Sequence, residues 1–171
     1  MILGFSTQIN GKPSFFIEKI WKGLLKDKFN LIAYNRFRTE SSICNTIDEW
    51  DIPKTSYPKI HTVREDPKGR WKKGNNIDFF INVRKKDMFR FAPVLPVVST
   101  QSVAMSYLYN DIIEISINGR QLHDWKEILQ FIHNDGFDNL KDFFDYFYPL
   151  IAVTKDNWYE AKIIHWTDFK Y

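Results

Sequence analysis

In the stretch IDFFINVR, residues 77–84, Ile77, Phe79, Ile81 and Val83 fall on one side while Asp78, Asn82 and Arg84 fall on the other. Side chains along a strand alternate between faces with period two, so this pattern predicts a strand half buried against a core. It excludes an all-helical bundle. IIEISING, residues 112–119, alternates in the same way and closes with the turn pair Asn118-Gly119. EAKIIHWTDF, residues 160–169, reads as a last strand with Ile164 and Trp166 on one side and Ala161 and Ile163 on the other. The run FRFAPVLPVVSTQSVAM, residues 89–105, is apolar but broken by Pro93 and Pro96. Proline donates no ladder hydrogen bond, so this run is expected at an edge or bulge and not at the centre of a sheet.

Helices interrupt these strands. Ile17, Ile20, Trp21 and Leu24 fall at i, i+3, i+4 and i+7, one helix face, with Ser14 placed to cap it. Asp124 is placed to cap a helix with the stripe Trp125, Ile128, Leu129 and Ile132, and Leu140, Phe143, Phe144 and Phe147 form a second stripe. The NDGF segment between them, Asn134 to Phe137, reads as a stop and turn. Residues 30–54 show no clean period and read as irregular structure. Unevenly spaced strands, inserted helices and no regular strand–helix alternation predict an α+β fold on a small barrel. A chain of 171 residues suits one domain, with 1–54 as a helix-containing N-terminal elaboration and 55–171 as the barrel core.

Several chemistries are missing from the pattern. The histidines, His61, His123, His133 and His165, have no close paired spacing of the kind zinc sites use, and Cys44, the one cysteine, has no cysteine partner, so no metal is expected. Neither G-x-x-x-x-G-K-[ST] nor G-x-G-x-x-G nor G-x-S-x-G occurs, and no cofactor is expected. No apolar run has membrane-spanning length and no basic segment precedes an apolar one at the start, so the reading is a cytoplasmic protein without a membrane partner. A lone cysteine also fits a reducing compartment. His165 reads as a satisfied structural histidine, and the phenylalanine stripe as core.

Charge is unevenly placed. Residues 59–90 carry ten Lys/Arg against four Asp/Glu, a net +6, whereas residues 101–171 carry six against eleven, a net −5. The basic part centres on KIHTVREDPKGRWKKGNNI, where Asp66-Pro67 and then Gly69 mark a turn. Lys59, Arg64, Arg70 and Lys72 are phosphate-pairing cations there, and Trp71 offers a surface to stack on or to wall a cleft. A solvated surface, a nucleic-acid contact and a catalytic corner each account for part of this pattern. With 17% aromatic residues, an interaction module using exposed rings is a further reading.

The order of four segments resembles the ASCH family of the PUA-like superfamily. KIHTVR, Lys59 to Arg64, is similar to its K-x-x-T-x-R signature, and GRWKKGNNI to the basic segment that follows. NDGF resembles its acidic-Gly-Phe element, and AKIIHW its closing strand. Together they span roughly residues 55–170. The resemblance implies a small PUA-like β-barrel with flanking helices and a basic cleft that takes RNA or a modified nucleoside or nucleotide. Some small bacterial members are amidohydrolases of N4-acetylcytidine that use a lysine, a threonine and a glutamate. The corresponding residues are Lys59, Thr62 and Asp135, as base, nucleophile and orienting acid. Asp135 is one methylene shorter than the family glutamate. In a regular strand residues 59 and 62 would face opposite ways, so Lys59 must precede the strand for the two to act together.

Overall fold

The computed structural model describes residues 1–27, 31–43, 57–107 and 113–171. Over these residues it is a mixed α+β structure with four α-helices and several sheets, divided into two compact units that interleave in sequence. One unit contains Met1–Lys59 and Asn75–Pro96, the other Ile60–Gly74 and Val97–Tyr171. Among the described residues no helix is long and apolar enough to cross a membrane. Cys44 and residues 44–54 of the segment read as irregular lie outside the described residues.

The first unit is organised by the alternating strand. Strand β1, Ile2–Phe5, runs parallel to β5, Asn76–Ile81, in the register Ile2 to Asp78 through Phe5 to Ile81. The short strands β6, Phe89–Arg90, and β7, Leu95–Pro96, pair antiparallel with β5. Ile77, Phe79 and Ile81 are completely buried, as the period-two pattern requires, and the strand stops at Asn82, whose φ is 52°. Helix α1, Phe16–Asp27, buries Ile17, Ile20, Trp21 and Leu24, and the Ser14 hydroxyl accepts the Phe16 N–H at 3.3 Å. The Trp21 indole donates to the Phe91 carbonyl at 2.8 Å, while Phe5 stacks on Phe79 with ring centroids 5.8 Å apart.

Two expectations for this unit are corrected. Residues 31–43, read as irregular, form helix α2, Leu31–Ile43. Its apolar residues do not line one face: Tyr34 is buried against Trp21 at 5.5 Å, but Leu31 and Ile32 stand exposed, so no periodic signal betrays it. The strand β5, expected in a barrel, pairs instead with β1, β6 and β7. A hairpin of β2, Gln8–Ile9, and β3, Lys12–Pro13, joins β1 to α1.

The second unit is a five-stranded antiparallel sheet in the order β10-β9-β8-β11-β4. Its strands are β4, His61–Arg64; β8, Ser99–Ser106; β9, Glu114–Ile117; β10, Arg120–Gln121; and β11, Trp158–His165. No sheet closes on itself among the described residues, so the mixed α+β class is shown and the expected barrel is not. Strand β8 is also central, between β9 and β11, contrary to the edge position expected from the prolines. Pro93 and Pro96 both precede it, so they interrupt only the short pairings on β5 and leave the β8 ladder intact.

Helices α3, Trp125–Asn134, and α4, Leu140–Ala152, lie between β10 and β11 in the chain. Asp124 caps α3 by accepting the Lys126 N–H at 2.8 Å, and Asn139 caps α4 by accepting that of Asp142 at 2.9 Å. Phe131, Phe143, Phe147 and Ile151 are buried, with Phe131 5.5 Å from the His61 ring and Phe147 6.4 Å from Tyr159. Trp125, expected in the α3 stripe, is 47% exposed at the start of the helix, and Phe131 takes its place in the core.

Candidate functional site

The basic loop follows directly from β4 and is folded around one carboxylate. Asp66 accepts the Arg70 N–H through Oδ1 at 2.8 Å and the Trp71 N–H through Oδ2 at 3.0 Å. The Lys162 ammonium, reaching over from β11, lies 2.7 Å from the same Oδ2 and 3.3 Å from the Trp71 carbonyl. The Gly69 N–H closes the turn onto the Asp66 carbonyl at 2.9 Å. Burial opposes ionisation of Asp66, but the hydrogen bonds from Lys162, Trp71 and Arg70 outweigh it and hold the carboxyl below its ordinary value. The loop acid is therefore consumed internally. Lys68, Arg70, Lys72 and Lys73 remain exposed around it.

A pocket of about 320 Å³ lies beside this turn, bounded by Glu65, Asp66, Pro67, Glu160, Ala161 and Lys162. Arg64, half-buried at the end of β4, is paired in register with Lys162. Trp71 is only 6% exposed, so its ring is not an open stacking surface. Lys162 escaped the sequence reading because its partner Asp66 lies 96 residues away, and no local pattern links them.

Asp135 owes its position to the way α3 ends. It stands at the C-cap with φ −83°, and Gly136 follows at φ 95°, a left-handed conformation that favours glycine. The Phe137 N–H then returns to the Ile132 carbonyl at 3.1 Å. This stop brings the 3% exposed Asp135 against β4, where Oδ1 accepts the Val63 N–H at 3.1 Å and lies 3.7 Å from His61 Nδ1. Thr62, 2% exposed, is thus flanked in sequence by two residues that this carboxylate approaches, and it faces the opposite side of the sheet from His61 and Val63.

The face shared by His61 and Val63 holds a buried polar network. Asn134 donates to the Tyr171 phenol oxygen at 2.9 Å, and that hydroxyl lies 2.7 Å from His61 Nε2. Gln101 fixes the same residue twice, accepting the Tyr171 N–H at 3.0 Å and donating to its carbonyl at 3.2 Å. Burial raises the Tyr171 phenol above its ordinary value, against the hydrogen bond from Asn134. His165, opposite His61 in the ladder, is completely buried with rings 5.3 Å apart, and neither of its nitrogens has a hydrogen-bond partner among the described residues. Burial, the nearby His61 and Lys170 together depress its pKa to about 3. The expectation of a satisfied histidine is corrected: His165 is structural, neutral and unpartnered among the described residues.

Lys59 belongs to the other unit. It precedes β4, so the period-two constraint does not apply to it. Its N–H donates to the Lys19 carbonyl at 3.0 Å, and its ammonium lies 4.6 Å from the centroid of the Phe16 ring and 6.0 Å from that of Phe5. At 1% exposure the ammonium packs against these aromatic faces. Among the described residues no group of three or more His, Cys, Asp or Glu is placed to hold a metal ion.

Comparison with protein-family models, curated proteins and solved structures finds no match to this chain. The function therefore rests on the chemistry of these residues. Within the second unit the site comprises the Asp66-centred basic loop on β4, the pocket beside it, and Asp135 on the Val63 amide.

Proposed function

We propose that this protein is an ASCH-like, PUA-type domain that binds RNA or a nucleotide through the loop between Arg64 and Lys73, in the cytoplasm. The carrying observation is the closure of Asp66 onto the Arg70 and Trp71 amides and the Lys162 ammonium. Engaged as it is, Asp66 fixes the turn, and the four exposed cations Lys68, Arg70, Lys72 and Lys73 outnumber Glu65, the exposed acid of the loop, on the face offered to a phosphate backbone. Lys59 is not needed in this interface, and Trp71 is buried and tied into the loop through its main chain.

The test is the salt dependence of single-stranded RNA binding in the parent and in an Arg70→Ala, Lys72→Ala double variant. Removing one cation that neutralises a phosphate of a single strand flattens the slope of log K against log salt by about 0.7, so the double variant is expected to be flatter by about 1 to 1.5. An unchanged slope removes this loop from the interface.

A second reading, hydrolysis of an N4-acylated cytidine, draws support from the burial of Thr62 and of Asp135 on the neighbouring Val63 amide. A threonine hydroxyl needs a base within hydrogen-bond reach to act as nucleophile. The binding proposal expects no turnover of N4-acetylcytidine by the parent. Turnover that disappears in both Thr62→Ala and Lys59→Ala would favour the hydrolase, because a nucleophile and its base fail as a unit.

A further inference from the structure

The first unit contains a pocket that the basic loop does not touch in the binding reading. It has a volume of about 440 Å³, within the roughly 300–1,000 Å³ range of small-ligand sites. Its walls come from residues 4–8 and 82–85, the segments that follow the carboxyl ends of the parallel strands β1 and β5. In mostly parallel α/β sheets ligands bind outside the carboxyl ends of the strands, and the parallel pair β1–β5 presents the same end here.

The lining is rich in donors. Ser6 and Thr7 contribute hydroxyls, Gln8 a carboxamide and Lys85 an ammonium, and among the described residues no carboxylate lines the pocket. Two main-chain acceptors of the first segment are already used. The Ser6 carbonyl accepts the Ser14 hydroxyl at 2.6 Å and the Thr7 carbonyl accepts the Ser14 N–H at 2.9 Å. On the second segment the Asn82 carbonyl accepts the Lys85 N–H at 2.9 Å, while the Asn82 amide donates to Asp87 at 2.6 Å and holds the turn. Hydroxyl, amide and ammonium donors with their neighbouring acceptors engaged match an acceptor-only, anionic group.

We infer that this pocket is a second site, specific for a phosphate monoester on a small ligand of mononucleotide size, with Lys85 as the charge partner and Ser6, Thr7 and Gln8 as donors. It stands independently of the basic loop, because its residues lie in the other unit. The neutral part of the ligand meets Phe5 and Val83, the apolar members of the lining.

The experiment titrates the full chain with AMP, ribose 5-phosphate, inorganic phosphate and uncharged adenosine, following backbone amide signals by NMR. AMP and ribose 5-phosphate are expected to shift the amides of residues 4–8 and 82–85, inorganic phosphate to shift the same amides more weakly, and adenosine to bind at least tenfold more weakly than AMP. Lys85→Gln, an exposed substitution that leaves the core untouched, is expected to weaken AMP at least tenfold, and Thr7→Val several-fold. The Arg70→Ala, Lys72→Ala double variant is expected to bind AMP as the parent does. Equal binding of adenosine and AMP, unchanged affinity in Lys85→Gln, or shifts confined to residues 64–73 would each overturn the inference. The last result would leave the RNA-binding proposal standing, and a failure of RNA binding would leave this pocket intact.

Discussion

Raising salt from about 50 to 200 mM is expected to weaken the binding of single-stranded RNA roughly 50-fold. The exposed loop cations Lys68, Arg70, Lys72 and Lys73 can neutralise up to four phosphates. On a single strand each neutralised phosphate contributes about −0.7 to the slope of log K against log salt, giving a total near −3. A fourfold rise in salt then costs about 1.7 orders of magnitude. The Asp66–Lys162 ion pair does not enter this sum, because its charges are satisfied in the free protein. Fluorescence anisotropy across that salt range measures the slope directly. Binding that ignores salt would remove phosphates from the interaction and point to recognition of an uncharged nucleoside.

Acidification from pH 7 to pH 5 is expected to cost about 2 kcal/mol of folding stability through His165 alone, roughly a 30-fold change in the folding equilibrium. The side chain is completely buried, and its folded-state pKa of about 3 lies well below the ordinary value of 6.5. As pH falls through 6.5 the unfolded chain takes up a proton that the folded one refuses, so its stability falls. The loss continues until the folded-state pKa is reached. A folded-state value one unit higher would leave the change between pH 7 and 5 almost unaltered. His165→Phe removes the titrating group while keeping a flat ring of similar size. Urea unfolding of both proteins at pH 7 and pH 5 should show the pH-dependent loss to be about 2 kcal/mol smaller in the variant. Equal losses in the two proteins would mean that His165 becomes protonated without unfolding the chain.

Most local features with a clear period or cap were faithful, although Trp125 left the expected α3 stripe. The alternation in IDFFINVR specified the buried face of β5, the i, i+3, i+4, i+7 spacing specified that of α1, and Ser14, Asp124 and the NDGF stop marked helix ends that the structure keeps. These signals survive because side-chain direction and capping depend on neighbours within one turn or one pleat. The concentration of cations around Trp71 was equally visible, since charge can be counted without knowing the fold.

Pairing could not be read in this way. Which strand would lie beside β5 was decided by β1, more than seventy residues earlier. Helix α2 had no apolar face to reveal it, and β8 became central because both prolines fall before it. At the site, Asp66 meets Lys162 and His61 meets Tyr171 across 96 and 110 residues. The sequence by itself determined the mixed class of the fold, the faces of its main elements and the location of its positive charge, all properties of short segments. Only the tertiary structure decided which acid closes the loop, which histidine is buried without a partner among the described residues, and that a donor-lined pocket forms at the ends of two parallel strands. Those outcomes depend on the meeting of distant segments, whose loop-closure cost leaves no periodic trace in the sequence.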